Sequence, residues 1–506
     1  MGTTASRLGK LSPKRLHMAL SSPGHRRAVS FFILEKIMSA TLSNQAEKIS
    51  PHPDNLPANK LLHGPLLSNL IRLALPTGAV LFMTTLVSVA ETYFVSSLGL
   101  KAIAAASLVV PVMLLMTTVA SAGIGGGVSS AIARAIGARR QDEAESLTWH
   151  AVVIGAVGGG LFSLVALFAG PALYRSFGGS GASLDLAVLY SNILFGGAIS
   201  FWILLLLQAA LRGTGNVKVP AMTILGGAVV GVILSPVLIN GWLGAPRMGV
   251  AGAGVAQVLC NIAALAVVVV YMRSPSSTLR LRRYPLRRQH FSAILGVGLL
   301  SSINVVMLAM SVTALTAAAG AVSVAAIAGY GIASRLEMLL SPVMFGCGTA
   351  AITLVGTNLG AGNVARARRV AILNVLFVAG VVGLVGLFVS LFPQLWLGLF
   401  TSDSAVMAVG AQYLHVVAPF YAVIGVIFEL YFAGQGAQCI LWPMTASVVR
   451  CVFALAAMVL VLQGYARLHT AFVLVAVSVV VAGTISLLGF LRTRWDRWSP
   501  GRPIFC

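Results

Sequence analysis

Three carboxylates are the residues best placed to do chemistry. Of the twelve Asp and Glu in the chain, only Glu91, Glu337 and Glu429 fall well inside long apolar stretches. A charge at such depth in a hydrocarbon layer is costly, so an ionisable residue there is by default a functional candidate. The chemistry open to it is reversible proton loading or cation binding. Glu337 and Glu429 share their half of the chain with two embedded cations, Arg335 and Arg450, and each acid could be neutralised by one of them. Arg335 and Glu337 are two positions apart and do not share a helical face, so any such pair would join different helices. Glu91 has no comparable partner in its own half, where Lys and Arg approach span interiors only near their basic ends. Burial disfavours the charged form of an unpaired acid. Glu91 could therefore load a proton near neutral pH and release it when its surroundings open to another compartment.

The elements that must hold these acids are membrane helices. Charged residues make up 9% of the chain, against about 25% in an ordinary soluble domain. Hydrophobic residues make up 58%, and the mean hydropathy is +0.94. These values exclude a water-soluble fold. A β-barrel is excluded as well, because its strands alternate polar and apolar residues, whereas the runs 164–173 and 375–389 are apolar throughout. Twelve spans are expected, at 70–97, 102–136, 147–172, 184–211, 217–240, 249–272, 291–318, 322–357, 369–392, 405–433, 440–463 and 467–491. Each approaches or exceeds the roughly 20 residues that a bilayer requires.

The plan occurs twice. Tyr190, Gly213 and Pro220 recur 223 positions later as Tyr413, Gly436 and Pro443. Six spans per copy, an even number, bring both copies into the bilayer in the same orientation, as parallel repeats about an axis along the membrane normal. The expected architecture is an all-α polytopic membrane protein of twelve transmembrane helices in two pseudo-symmetric six-helix lobes, with a cleft between them.

The net charge of +22 is a topological record. Lys and Arg concentrate in the tails and in the even-numbered loops. Lys101, Arg175, Arg247 and Arg467 fall on the other side, and Arg335 and Arg450 within spans. That asymmetry places both termini in the cytoplasm of a plasma (inner) membrane protein. The basic face would meet anionic lipid, and nucleic acid is not an expected partner. Residues 1–60 are basic, rich in Ser and Pro, and free of acids before Glu35. Disorder is expected there, as a cytoplasmic tail, as sequence upstream of a true start at Met18 or Met38, or as a transit peptide. The lobes are expected at 61–272 and 291–492, joined by a basic linker at 273–290 and followed by a cytoplasmic tail at 493–506. The five cysteines show no paired spacing; neither a disulfide nor a metal site is expected.

Several separate stretches resemble the multidrug and toxic compound extrusion (MATE) transporters. They begin with Glu91-Thr92-Tyr93-Phe94-Val95 and run through 125–131 (GGGVSSA) and Leu211-Arg212-Gly213-Thr214-Gly215-Asn216 with Pro220. They continue as Gly249-Val250-Ala251-Gly252-Ala253, 331–337 (GIASRLE), 355–363 (VGTNLGAGN) and Gln435-Gly436-Ala437. The resemblance covers about Leu67 to Phe490. It implies a secondary antiporter, not an enzyme, that exports drug-like and often cationic small molecules against an inward flow of protons or sodium ions. It implies no cofactor beyond the coupling ion and is compatible with a working monomer. Glu91 matches the position where many such transporters carry Asp in the first helix. In the fifth helix, where many relatives show Asn and then Leu-Asp-Pro, this chain has Gly231 and then Leu234-Ser235-Pro236, so a second carboxylate is missing. Glu91 is left with hydroxyls and amides for company: Thr92, Tyr190, Asn192, Gln208 and Ser235. A proton is favoured over sodium on that basis.

The glycine motifs also have a mechanical reading. Gly213 and Gly215 suit a tight reversal after the fourth span, and Pro220 suits the start of the fifth. Gly125 to Gly127 would thin the second helix so that another packs closely on it. Two other functions share this plan or this setting. A flippase for lipid-linked oligosaccharides would want a more cationic cavity, and a channel would show flux independent of counter-ion gradients. An intramembrane enzyme would need clustered Asp or His, which the scattered histidines do not supply.

Overall fold

The computed structural model describes residues 61–96, 98–244, 246–493 and 495; for 85–96 and 243 only the backbone is described. The expected tail at 1–60, and the expected tail at 493–506 apart from Thr493 and Trp495, lie outside the described residues. No strand occurs among the described residues. Helices α1 (Leu66–Ser96), α2 (Leu100–Gly137), α3 (Gln141–Ser176), α5 (Lys218–Asn240) and α6 (Val250–Arg273) form the first half, with α4 built from two segments, Gly181–Gly196 and Ala198–Gly213. The second half holds α7 (Arg288–Val322), α8 (Val324–Gly360), α9 (Val364–Leu391), α10 (Ser404–Ala437), α11 (Leu441–Leu462) and α12 (Leu468–Arg492). All are long and apolar enough to cross a bilayer, counting the two segments of α4 as one span.

Two departures from straight helices, in α4 and α10, fall at equivalent points of the repeat. α4 bends by 49° at Gly197, which packs so closely on α6 that a Cβ there would sit 2.7 Å from the Val258 side chain. Its counterpart α10 is interrupted by a turn of 3-10 helix at Ala418–Phe420, where Pro419 has no N–H to give the helix. In α2 a π turn spans Val119–Ile124, a deviation that frees backbone carbonyls for other partners.

Two hydrophobic cores lie side by side. One gathers α2, α3, both segments of α4, α6 and Ile294 at the start of α7. The other gathers α8 to α12 together with Leu70, Leu73 and Ala74 of α1. α1 thus packs on α5 within its own half and on α8 of the other, and at Gly346 of α8 a Cβ would come within 2.8 Å of Ala74 O.

The halves close on each other at the end where α2 meets α3, α4 meets α5 and α8 meets α9. This end carries Arg139, Arg140, Arg212, Lys218, Arg366, Arg368 and Arg369 and is called the basic face below. Here Ser130 Oγ donates to Gln435 O at 2.5 Å and Thr353 Oγ1 donates to Arg212 O at 2.9 Å. A Cβ on Gly137 would fall onto Thr357 O, and one on Gly360 onto Arg134 O. Gly126 and Gly127 bring α2 equally close to Gln435 and to the backbone of α7, so this glycine run does thin the helix for packing.

The linker between the halves is pinned to α3. Glu145 accepts from Arg280 N at 3.3 Å and from Tyr284 Oη at 2.9 Å. His150 Nε2 accepts from Arg287 N at 2.8 Å, while His150 Nδ1 donates to Ser146 O at 2.7 Å. A carbonyl can only accept and an amide N–H only donate, which fixes His150 as the Nδ1–H tautomer. One expectation fails at the cysteines: Cys439 is disulfide-bonded. Sequence spacing missed it because a disulfide depends on the approach of two Cα atoms in space, which leaves no local pattern.

Candidate functional site

Glu91 and Thr92 lie on the last turns of α1, and their side chains are outside the described residues. The other polar groups expected around Glu91 do not converge. Gln208, buried on the second segment of α4, donates through Nε2 to Thr223 Oγ1 of α5 at 3.1 Å. Ser235 is also buried on α5, but twelve residues beyond Thr223, or about 18 Å along a helix. Ser235 and position 91 each lie five residues before the end of their helices, α5 and α1, which pack together. Tyr190 faces α6 on the first segment of α4, where a Cβ on Gly254 would be 3.3 Å from its ring. Asn192, two residues on, is exposed. Its exposed side chain makes no hydrogen bond with the other four candidates among the described residues.

The second half is where the described polar groups gather. Glu337, half-buried on α8, accepts a hydrogen bond from Tyr413 Oη of α10 at 2.6 Å. The Tyr421 hydroxyl points at the same carboxylate without a well-formed hydrogen bond. Tyr330, two turns before Glu337 on α8, meets the Tyr413 ring edge to face with centroids 5.2 Å apart, and Phe472 of α12 closes the cluster at 5.2 Å from Tyr413. A carboxylate held by a phenol in an aromatic surround is suited to binding a proton or an organic cation.

These acids form no close ion pair with arginine among the described residues. Among the described residues the one salt bridge joins Arg140 to Glu143. Arg335 is exposed on α8, pointing away from Glu337 as its two-residue offset requires. Arg450 of α11 is half-buried and within electrostatic range of Glu337, but has no carboxylate oxygen within 4.0 Å. Glu429 is fully buried on α10 and accepts from Asn374 Nδ2 of α9 instead.

A third polar group sits between the halves. Gln435 Nε2 of α10 donates to Ala122 O in the π turn of α2 at 3.0 Å and to Ser301 Oγ of α7 at 2.9 Å. Tyr431 Oη donates to Ser301 O at 3.3 Å. Nearby, Ser447 of α11 donates to Asn304 Oδ1 of α7. None of these residues was singled out for chemistry from the sequence except Gln435 as part of a motif. The available signal was a polar side chain inside an apolar helix, as at Ser301, Asn304 and Asn374.

The comparisons with known proteins agree with this architecture. The MatE family matches residues 76–237 and 300–460, one match in each half. The chain is 24% identical over 314 residues to the probable multidrug resistance protein YoeA of Bacillus subtilis, a match covering 61% of this chain and 68% of that protein. It is 27% identical over 370 residues to the FAD transporter of Shewanella oneidensis, covering 72% and 81% respectively. The solved outward-facing structure of a MATE multidrug resistance transporter of the MOP superfamily superposes with a TM-score of 0.76 at 25% identity, covering 86% of this chain and 97% of that one. With both halves matched and the twelve spans in two packed sets, the chain belongs to the MatE family of integral membrane transporters.

Proposed function

We propose that the protein exports drug-like, cationic or amphipathic small molecules in exchange for inward-moving protons, with Glu91 as the coupling carboxylate. The observation that carries this reading is the position of α1. It packs on α5 in the first half and on α8 in the second, so a change of charge on α1 bears on both halves at once. Position 91 lies near the end of α1 remote from the basic face. With the basic face in the cytoplasm, as the positive-inside rule favours, Glu91 is about 28 Å along the helix from Arg72, where protons arriving from outside reach it early. Protonation and substrate occupancy exclude each other in this scheme, and the transporter works as a monomer in the plasma (inner) membrane. Ser235, standing where relatives carry a second acid, leaves few oxygens for sodium and favours the proton.

A second reading has its own support. Arg335 and Arg450 lie in spans without a carboxylate of a described residue within 4.0 Å, and the Shewanella oneidensis relative is a FAD transporter. Both would suit an anionic aromatic substrate. Everted vesicles or proteoliposomes under an imposed pH gradient, with and without sodium, separate the two. Gradient-driven export of ethidium or a fluoroquinolone that is lost in Glu91→Gln supports the first. Export of FAD but not of the cations supports the second. Undiminished export by Glu91→Gln removes Glu91 from the mechanism.

A further inference from the structure

Glu429 and Asn374 are both fully buried, and among the described residues their pairing is incomplete in a telling way. Asn374 Nδ2 donates to Glu429 Oε2. The remaining oxygens, Glu429 Oε1 and Asn374 Oδ1, have no hydrogen-bond partner. An ionised carboxylate is acceptor-only, and an amide oxygen is also an acceptor. The pair therefore holds two acceptors and is short by one donor.

Nothing around it makes up the difference with a charge. Among the described residues no cationic side chain lies within 4.0 Å of Glu429. The one titratable neighbour among the described residues is Cys347 of α8, a buried free thiol that brings no positive charge. α9 faces the acid with the Asn374 amide, and no titratable group from α11, α12 or α2 interacts with it. α9 and α10 cross at close range near the acid. One turn before Glu429, a Cβ on Gly425 would sit 3.2 Å from Ala379 Cα, and at Gly383 a Cβ would sit 2.8 Å from the Ala422 side chain. An uncompensated carboxylate at zero exposure is among the least tolerated arrangements in a protein interior, whereas one proton on Oε1 removes the charge and provides a donor.

We propose that Glu429 is a proton-binding site inside the second half: a neutral carboxylic acid, hydrogen-bonded to the Asn374 amide, that carries a resident proton and ties α10 to α9. The site is separate from Glu91 and does not rest on the coupling scheme. Its proton stays in place through the transport cycle. Gln at 429 keeps the shape, the neutrality and a donor, so it substitutes for the acid; an ionised Glu429 would not be replaced so simply.

The test is infrared spectroscopy of the purified full-length protein in lipid nanodiscs at neutral pH, comparing wild type, Glu429→Gln and Glu91→Gln. The expected result is a protonated-carboxyl C=O stretch that disappears in Glu429→Gln and persists in Glu91→Gln, with export by Glu429→Gln unchanged. Absence of a Glu429-dependent band would overturn the proposal, and so would loss of export by a folded Glu429→Gln. If that variant does not fold, glutamate labelled with carbon-13 in the wild type reads the carboxyl directly by solid-state NMR. A complete set of ionised glutamate signals there would equally overturn it.

Discussion

Ser130 and Thr353 make the same hydrogen bond in opposite directions across the molecule. Ser130 of α2 donates to the carbonyl of Gln435 on α10, and Thr353 of α8 donates to the carbonyl of Arg212 on α4. A shift of 223 positions carries Ser130 to Thr353 and Arg212 to Gln435, so each bond is the image of the other. The same shift carries Gly137 to Gly360 and Arg134 to Thr357, whose contacts are also reciprocal. The two halves thus close the basic face with a self-complementary surface, as two subunits do about a twofold axis.

That symmetry predicts matched phenotypes. Gly137→Ala and Gly360→Ala each force a Cβ into a backbone carbonyl and should destabilise the closed basic face by about 1–3 kcal/mol. Ser130→Ala and Thr353→Val should each cost about 1 kcal/mol. Accessibility of single cysteines placed in the 2–3 and 8–9 loops, followed by thiol labelling, measures the opening. Equal increases for the members of each pair are expected; a change confined to one half would show that the seal is not shared.

The repeat also exposes a point of backbone strain. α4 ends with Gly215 at φ 84° and Asn216 N bonded to Leu211 O, and α10 ends with Gln438 at φ 63° and Cys439 N bonded to Gly434 O. The motif is the same, but only glycine adopts the left-handed region freely. Gln438→Gly should therefore raise thermal stability by about 0.5–1 kcal/mol, and Gly215→Ala should lower it by a similar amount. Melting curves of the purified variants decide the sign.

How far the sequence exposed this molecule depends on which physical signal each feature uses. The spans and the two halves were readable because hydropathy and the 223-residue offset are sums over many residues. The pinched α2 was readable at Gly125 to Gly127 because close approach demands glycine. Side-chain partners were not. Glu337 looked available for an arginine, yet its partner is Tyr413, which the repeat had marked only as a counterpart of Tyr190. Asn374 was passed over, because an amide in an apolar helix gives no hint of which acid it will meet. Asn192 was chosen by type, which carries no information on helical phase, and it is exposed.

The bond from Tyr413 to Glu337 makes a specific prediction. Tyr413→Phe removes a hydrogen bond to a carboxylate, which is worth about 1.5–3 kcal/mol, and leaves Glu337 within electrostatic range of Arg450. Glu337→Gln keeps an acceptor for the phenol and should cost less. Export assays across pH on both variants separate roles. If Glu337 exchanges protons during transport, both variants alter the pH profile. If the pair is a tie between α8 and α10, Tyr413→Phe lowers the melting temperature and the profile keeps its shape.

The linker prediction follows from how its backbone is held. Arg280, Arg282, Arg283, Arg287 and Arg288 are exposed, so trypsin has five targets, but cleavage needs the chain to lift from α3. Glu145, Tyr284 and His150 oppose that lift. Burial, followed by the hydrogen bond to Glu145 and its negative charge, raises the Tyr284 phenol above its usual 10.0. A raised folded value means that the phenol's contribution is complete below about pH 10 and is lost only as pH climbs through the higher folded value. Cleavage between 280 and 288 should therefore be slow and constant from neutral pH to about pH 9 in the wild type, after correction for the activity of trypsin itself. Tyr284→Phe should accelerate it several-fold across that range, in keeping with about 1–2 kcal/mol for a bond to a carboxylate. Glu145→Gln should do so more strongly, because it weakens two bonds at once. Equal cleavage in all three proteins would mean that Leu279, fully buried in the core of the first half, anchors the linker without help from the polar contacts.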